Sequence, residues 1–257
     1  MKNILNKVEF HYTFIVMIFG LVITGHFVNT IIFTSLIIVH EMGHVITFRL
    51  LKYDIDKIII YPYGGLTKLN TKINTRIEDD LFGAISGIIM QCIYFGIIFF
   101  LYKNGIVIRE YTYNLFLLYH RSILIFNLLP IYPLDGAKII NLILSKYFRF
   151  NISNYITVFI SLIVIILFLL SNSYERNYSI VLVVGILLYN IYKFYNDISY
   201  IYNRFMLERY LYNFNYRKRK IINNKDDMYK NRYHLFNING NLINEKEYIK
   251  RFFEKRP

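Results

Sequence analysis

Long apolar blocks alternate with short polar stretches along the chain, and the block lengths give the first reading. Residues 12–24, 27–51, 81–102, 113–129, 155–170 and 178–195 are each dominated by Ile, Leu, Phe, Val and Tyr. A helix rises about 1.5 Å per residue, so most of these blocks approach the roughly 30 Å of a bilayer core. The pattern predicts an α-helical polytopic membrane protein with six transmembrane helices. One stretch breaks it. Asp54-Ile55-Asp56-Lys57-Ile58-Ile59-Ile60-Tyr61 is rich in β-branched residues, and Pro62-Tyr63-Gly64-Gly65 supplies a turn. A short β hairpin between helices 2 and 3 is expected there, membrane-associated but shielded from lipid, because an open sheet edge cannot face hydrocarbon. Residues 1–10 read as a polar start with no cleavage site after the first apolar run, which therefore stays as an anchor.

Charge divides the chain further. Its formal net charge is +13, and residues 200–257 hold 14 Lys and Arg against 6 Asp and Glu, so +8 of the +13 lies in that tail. The division is a membrane-embedded domain over 1–199 and a basic tail over 200–257. Attraction to a membrane surface accounts for the basic excess at least as well as nucleic acid does, and no direct nucleic-acid partner is expected. With six spans, Lys2, Lys7, Lys52, Lys57, Lys68, Lys72, Arg76, Lys138, Lys146, Arg149 and the tail fall on one side, whereas Lys103, Arg109 and Arg176 fall on the other. The positive-inside rule then places both termini in the cytoplasm.

The chemistry sits inside the second block. His40-Glu41-Met42-Gly43-His44 is a His-Glu-x-x-His pattern, and from residue 27 to Arg49 no other ionisable side chains occur. Histidines four apart share one helical face, so both can hold one metal ion, and Glu41 is placed to take a proton from a water that the metal activates. Ionisable groups in a bilayer are costly and are functional by default. A zinc hydrolase follows. The rival is a non-hydrolytic metal-binding transporter or sensor, which has no need of Glu41 beside the His pair. The single cysteine, Cys92, excludes an internal disulfide and a cysteine-rich zinc site, and is expected as a buried apolar thiol. His120 and Arg121 in the fourth block should face a wet cavity, pair internally, or mark a span whose boundary lies elsewhere, while His26 reads as a turn or interface residue. The prolines of Asn127-Leu128-Leu129-Pro130-Ile131-Tyr132-Pro133-Leu134-Asp135-Gly136 interrupt a helix beside an acidic group. Broken backbone at that depth implies an internal cavity.

Both motifs resemble those of the site-2-type intramembrane zinc proteases, His-Glu-x-x-His for the first and Asn-x-x-Pro-x-x-x-Leu-Asp-Gly for the second. Thr24-Gly25-His26, Gly64-Gly65 and Arg204-Phe205-Met206-Leu207-Glu208-Arg209-Tyr210 resemble the sporulation branch that processes the sigma-K precursor. The likeness covers residues 1 to about 215. It implies one Zn²⁺ held by His40, His44 and Asp135, Glu41 as general base, and Asn127 and Pro133 near the substrate. It also implies a membrane-associated pro-sigma factor as substrate, inhibitory membrane proteins as partners, and the mother-cell membrane around the forespore as location. Where the family often has small-Gly-Pro-x-x-Asn, this chain reads Ser86-Gly87-Ile88-Ile89-Met90-Gln91, and Ala137 stands where a second glycine is usual. The branch ends in a nucleotide-sensing CBS domain. Residues 233–238, Asn239-Gly240 and 245–253 correspond to one strand, turn and helix of such a domain, so the tail reads as a truncated CBS-like piece.

Overall fold

The computed structural model describes residues 7–61, 64–69, 72–106, 109–171, 178–216, 218–238 and 240–254. The chain forms two compact units, one of Met1–Thr71 with Phe82–Asn127 and one of Lys72–Leu81 with Leu128–Pro257. Lys2, Pro62, Tyr63, Arg176 and Asn239, used in the sequence reading, lie outside the described residues.

The first unit contains β1 (Val8–Phe10), α1 (Tyr12–Ile23), α2 (Phe27–Leu50), β2 (Ile55–Tyr61), β3 (Gly64–Leu69), most of α3 (Ile77–Lys103) and most of α4 (Glu110–Leu128). Gly25 closes the link between α1 and α2 with φ +77°, a left-handed conformation that glycine adopts without steric cost. Ile32, Leu36 and Phe116 make one buried cluster, and Phe14, Ile37 and Ile60 make another. β2 and β3 pair antiparallel, with Ile58 opposite Thr67 and Tyr61 opposite Gly64. β1 adds in parallel on the other side, Val8 opposite Ile58. This third strand arises inside the stretch read as a polar start. Val8-Glu9-Phe10 alternates, but three residues are too few for a period to show.

The second unit contains α5 (Asp135–Tyr147), α6 (Phe150–Leu170), α7 (Tyr178–Leu211), a sheet of β4 (Arg219–Ile222), β5 (Tyr233–Ile238) and β6 (Asn241–Asn244), and α8 (Glu245–Glu254). β4 and β5 are parallel, and β5 and β6 antiparallel. Gly240 turns the β5–β6 connection at φ +86°. The tail is built onto the end of α7: Phe150, Tyr202, Phe205 and Met206 share a buried cluster with Ile222, Met228, Phe236 and Ile249.

Four helices among the described residues are long and apolar enough to cross a membrane: Phe27–Leu50, Ile77–Lys103, Phe150–Leu170 and Ile180–Leu211. α1 is a shorter apolar helix of 12 residues, about 18 Å long. The sequence reading of α7 stopped near residue 195, but the helix runs 34 residues because Tyr202, Phe205 and Met206 bury one face against the tail. α5 was not foreseen. After the Pro130–Pro133 break, Ile139, Ile140, Ile143 and Leu144 recur at helical spacing against Lys138, Asn141, Ser145 and Lys146. Large apolar side chains lie exposed along the spanning helices, as with Ile89, Ile93, Ile97 and Phe100 on α3 and Phe159, Ile166 and Leu167 on α6. Such faces suit lipid, which solvates them. Cys92 lies on the exposed surface of α3 and is not buried as expected, because an apolar residue in a bilayer need not enter the protein interior.

Candidate metal centre

On α2 the residues that face inward include His40, Glu41 and His44, at 2%, 4% and 6% exposure. Their neighbour is α3, held close by small residues. A Cβ on Gly43 would come within 2.5 Å of the Ser86 carbonyl and 2.9 Å of Gly87 Cα, and a Cβ on Gly83 would strike the Phe48 ring. Glycines at these positions let the two helices touch backbone to backbone. Gly87 has a second role, since a Cβ there would lie 2.4 Å from His44 Nε2 and 2.8 Å from His40 Nε2. It keeps the face of the His pair open.

Ring orientation follows from hydrogen bonding. His44 Nδ1 lies 2.7 Å from the Gly83 carbonyl oxygen, which can only accept, so Nδ1 carries the hydrogen. His40 Nδ1 lies 3.2 Å from Gln91 Oε1. Each Nδ1 thereby has its acceptor, and the two Nε2 atoms face one another 3.2 Å apart. In neutral rings with the hydrogen on Nδ1, both Nε2 atoms are available as metal donors. Zinc at about 2.0–2.1 Å from each nitrogen in tetrahedral geometry sets the nitrogens about 3.3 Å apart, so the donor pair fits such an ion.

In the second unit Asp135 opens α5 and is 4% exposed. Its carboxylate accepts a hydrogen bond from Lys138 Nζ at 2.9 Å. Gly136 is obligatory in its own way: a Cβ would sit 2.2 Å from the Leu128 carbonyl oxygen and 2.5 Å from that of Leu129. The segment before it is tied to α6, where Ser161 Oγ accepts from the Tyr132 amide at 3.1 Å, and Tyr132 stacks on Phe194 of α7 with ring centroids 4.1 Å apart. Pro133 is half-buried there, and its bond to Tyr132 is cis. Asn127 is buried near the end of α4 in the first unit. His40 and His44 thus belong to the first unit and Asp135 to the second.

His120 is buried and pairs internally with Gln91, one of the three outcomes expected for it, whereas Arg121 is exposed. Gln91 went unremarked as a functional residue in the sequence, although a fully polar side chain amid Ile88, Ile89, Ile93 and Tyr94 is the same signal that marked the His pair. The Arg204–Tyr210 stretch, notable in the sequence only as a likeness, proves to anchor the tail. Arg209 donates through Nε to Asn74 Oδ1, through Nη1 to Glu245 and the Arg232 carbonyl, and through Nη2 to the carbonyls of Tyr229 and Lys230. All five of its N–H groups are thus used. Glu208 accepts from the amides of Ile73 and Asn74.

With this geometry in place the class is defined. The family model of Peptidase family M50 matches residues 28–110, and the chain carries this domain, that of the site-2 proteases. It is an integral membrane protein and a zinc metalloendopeptidase. Among particular relatives, it is 29% identical over 215 residues to Stage IV sporulation protein FB of Bacillus subtilis, covering 81% of this chain and 73% of that one. It is 31% identical over 189 residues to a zinc metalloprotease of Methanocaldococcus jannaschii, covering 68% of this chain but only 54% of the relative. The solved Site-2 Protease from Methanocaldococcus jannaschii matches with a TM-score of 0.55 and 28% identity, over 72% of this chain and 89% of that one.

Proposed function

We propose that this chain cleaves a membrane-tethered pro-protein within the bilayer, with the sigma-K precursor as its substrate during sporulation. The observation that carries the chemical part is the pair of histidine Nε2 atoms 3.2 Å apart beside the buried Glu41. Likeness to Stage IV sporulation protein FB supports the biological part. His40, His44 and Asp135 hold the metal in this reading. A zinc ion bound there would polarise the scissile carbonyl and make a water acidic enough to deprotonate near neutral pH. Glu41 takes the proton of the attacking water and delivers it to the leaving amine. Asn127 donates a hydrogen bond to the substrate carbonyl as charge develops on it, and Pro133 shapes the substrate channel. Buried side chains around the His pair exclude bulk water, which strengthens each of these interactions.

The same proposal includes six spans with both termini cytoplasmic, a membrane-associated β2–β3 hairpin, a 1–199 protease domain with a 200–257 CBS-like tail, the mother-cell membrane as location, and inhibitory membrane proteins as partners. β2 is the central strand, paired on both edges with β1 and β3, so residues 57–61 offer no open edge to which an extended substrate could add.

Two variants test the chemistry, with zinc per purified chain and product from the co-expressed precursor measured in parallel. Glu41→Gln is expected to keep zinc and lose cleavage by about 10²–10⁴-fold, since an amide cannot accept the proton. Asp135→Asn is expected to lower both. A transporter or sensor would instead show activity that follows metal occupancy in both variants. Failure to shorten the precursor with full zinc in the parent chain would remove the substrate assignment.

A further inference from the structure

Gln91 is fully buried in α3, at 0% exposure, and both ends of its amide are engaged. Its Nε2 lies 3.0 Å from the His120 backbone carbonyl oxygen and 3.4 Å from His120 Nδ1. The carbonyl can only accept, so the nitrogen of the amide must be the atom that faces it. Oε1 is thereby turned toward His40 Nδ1, at 3.2 Å. An amide oxygen can only accept in its turn, so Nδ1 of His40 must donate. The imidazole that results has its hydrogen on Nδ1, and its Nε2 faces His44 Nε2 at 3.2 Å. His120 is itself fixed: its ring stacks on Phe95 with centroids 4.6 Å apart, and α4 sets its carbonyl.

We propose that Gln91 is a positioning residue for the metal centre, holding His40 in the Nδ1–H tautomer through its amide oxygen while the His120 carbonyl fixes which way that amide points. The inference rests on the reading of His40 and His44 as zinc ligands. Histidine in water favours the other tautomer, so the protein must impose this one. An imidazole free to rotate or to carry its hydrogen on Nε2 would have to reorganise before it could bind. For His44 the equivalent acceptor is the Gly83 backbone, which no side-chain substitution removes. Of the two histidines, His40 is therefore the one whose Nδ1 acceptor is a side chain, and an outer partner of this kind is worth about 10–100-fold in metal affinity.

The test uses the full-length chain in detergent and zinc affinity measured by competition with a chromophoric chelator. Gln91→Met keeps the length and volume of the side chain but has no amide oxygen, and is expected to bind zinc about 10–100-fold more weakly. Gln91→Glu keeps an acceptor facing His40, and is expected to bind zinc more tightly than Gln91→Met does. A residue that only fills space predicts the reverse order, because an apolar isostere is tolerated in a buried site better than a carboxylate; that order, or equal affinities, overturns the proposal. A second measurement needs no variant at position 91. In zinc-free protein labelled with ¹⁵N-histidine at pH 8, the His40 signals, assigned by their loss in His40→Ala, should show the Nδ1–H tautomer. An Nε2–H tautomer overturns the proposal even if Gln91→Met cannot be purified. His40→Ala also separates the two readings: if it leaves zinc affinity unchanged, the metal site itself is misassigned, whereas loss of zinc in His40→Ala with wild-type affinity in Gln91→Met removes only the role of Gln91.

Discussion

A glycine rather than a ligand is the most exacting residue of the centre. Because a Cβ on Gly87 would lie within 3 Å of both His Nε2 atoms, Gly87→Ala should place a methyl group where the metal belongs. The expected outcome is loss of stoichiometric zinc and of cleavage, with a stability cost of about 1–3 kcal/mol from overpacking, checked by metal analysis and thermal unfolding. Ala at Gly96, where nothing lies within 4 Å, is the control and should change neither. At this scale the sequence was informative where residue type alone limits the chemistry. Two histidines and a glutamate in an apolar run have few other uses. Gln91 was harder to read, because glutamine serves many roles and its partners come from α2 and α4, 51 and 29 residues away in sequence. The tautomer of His40 is a property of that meeting and has no sequence signature.

Among the elements, the tail depends on Arg209. Its side chain is 1% exposed and pairs with the equally buried Glu245 at 2.8 Å, so removing the guanidinium leaves a buried carboxylate and three backbone carbonyls without their donor. Arg209→Met should destabilise the second unit by about 3–5 kcal/mol, seen as faster proteolysis between residues 211 and 254. Acid should loosen the same element. Burial lowers the pKa of His234 despite the hydrogen bond it donates to Glu245, with Arg209 and Lys220 adding to the lowering. For Glu245 burial works upward, but the hydrogen bond to His234 and the charge of Arg209 outweigh it and hold the carboxyl below its ordinary value. Both folded values are depressed, so the unfolded chain binds more protons and stability falls as pH falls. For His234 the loss starts below about pH 6.5, and Glu245 adds to it below about 4.3. Hydrogen exchange of the β5 amides should therefore quicken from pH 7 to 5, and a constant or slower opening rate after correction for intrinsic exchange would contradict it. Long periodic elements such as α2, α3 and α6 were legible from the sequence because length and apolarity define them. β1, at three residues, and α5, behind two prolines, were not. The tail was read mainly through its charge, yet Tyr202, Phe205 and Met206 belong to its core and carry no net charge. Deleting residues 217–257 would uncover that core, so it cannot isolate a docking function of the tail.

For the whole molecule, the open question is parity, and α1 and α4 decide it. α2, α3, α6 and α7 meet the length and apolarity of a span, whereas α1 is about 18 Å long and α4 carries Arg121 in its fourth turn. If both cross, Glu9 and Lys218 share the cytoplasmic side and Asn104 is opposite. If α4 alone fails to cross, Asn104 and residues 129–149 share one side, and Glu9 and Lys218 are separated. If α1 alone fails, Glu9 moves to the side of Asn104 while Lys218 stays cytoplasmic. The charges favour the first arrangement, since it gathers Lys52, Lys57, Lys72, Arg76, Lys138, Lys146, Arg149 and the tail in the cytoplasm. The barrier to α4 is also lower than its composition suggests, because His120 is buried against Gln91 and does not face lipid, and Arg121 can extend toward a headgroup region if the helix tilts. Single cysteines replacing Glu9, Asn104 or Lys218, in a chain with Cys92→Ser, distinguish these cases with a membrane-impermeant maleimide. In intact cells only the cysteine at position 104 should label, and those at 9 and 218 should label once the membrane is opened. Labelling of 9 with 104 in intact cells would show that α1 lies on the surface, and labelling of 218 there would move the tail, with its buried Arg209–Glu245 pair, outside the cytoplasm and end the proposal that both termini are cytoplasmic.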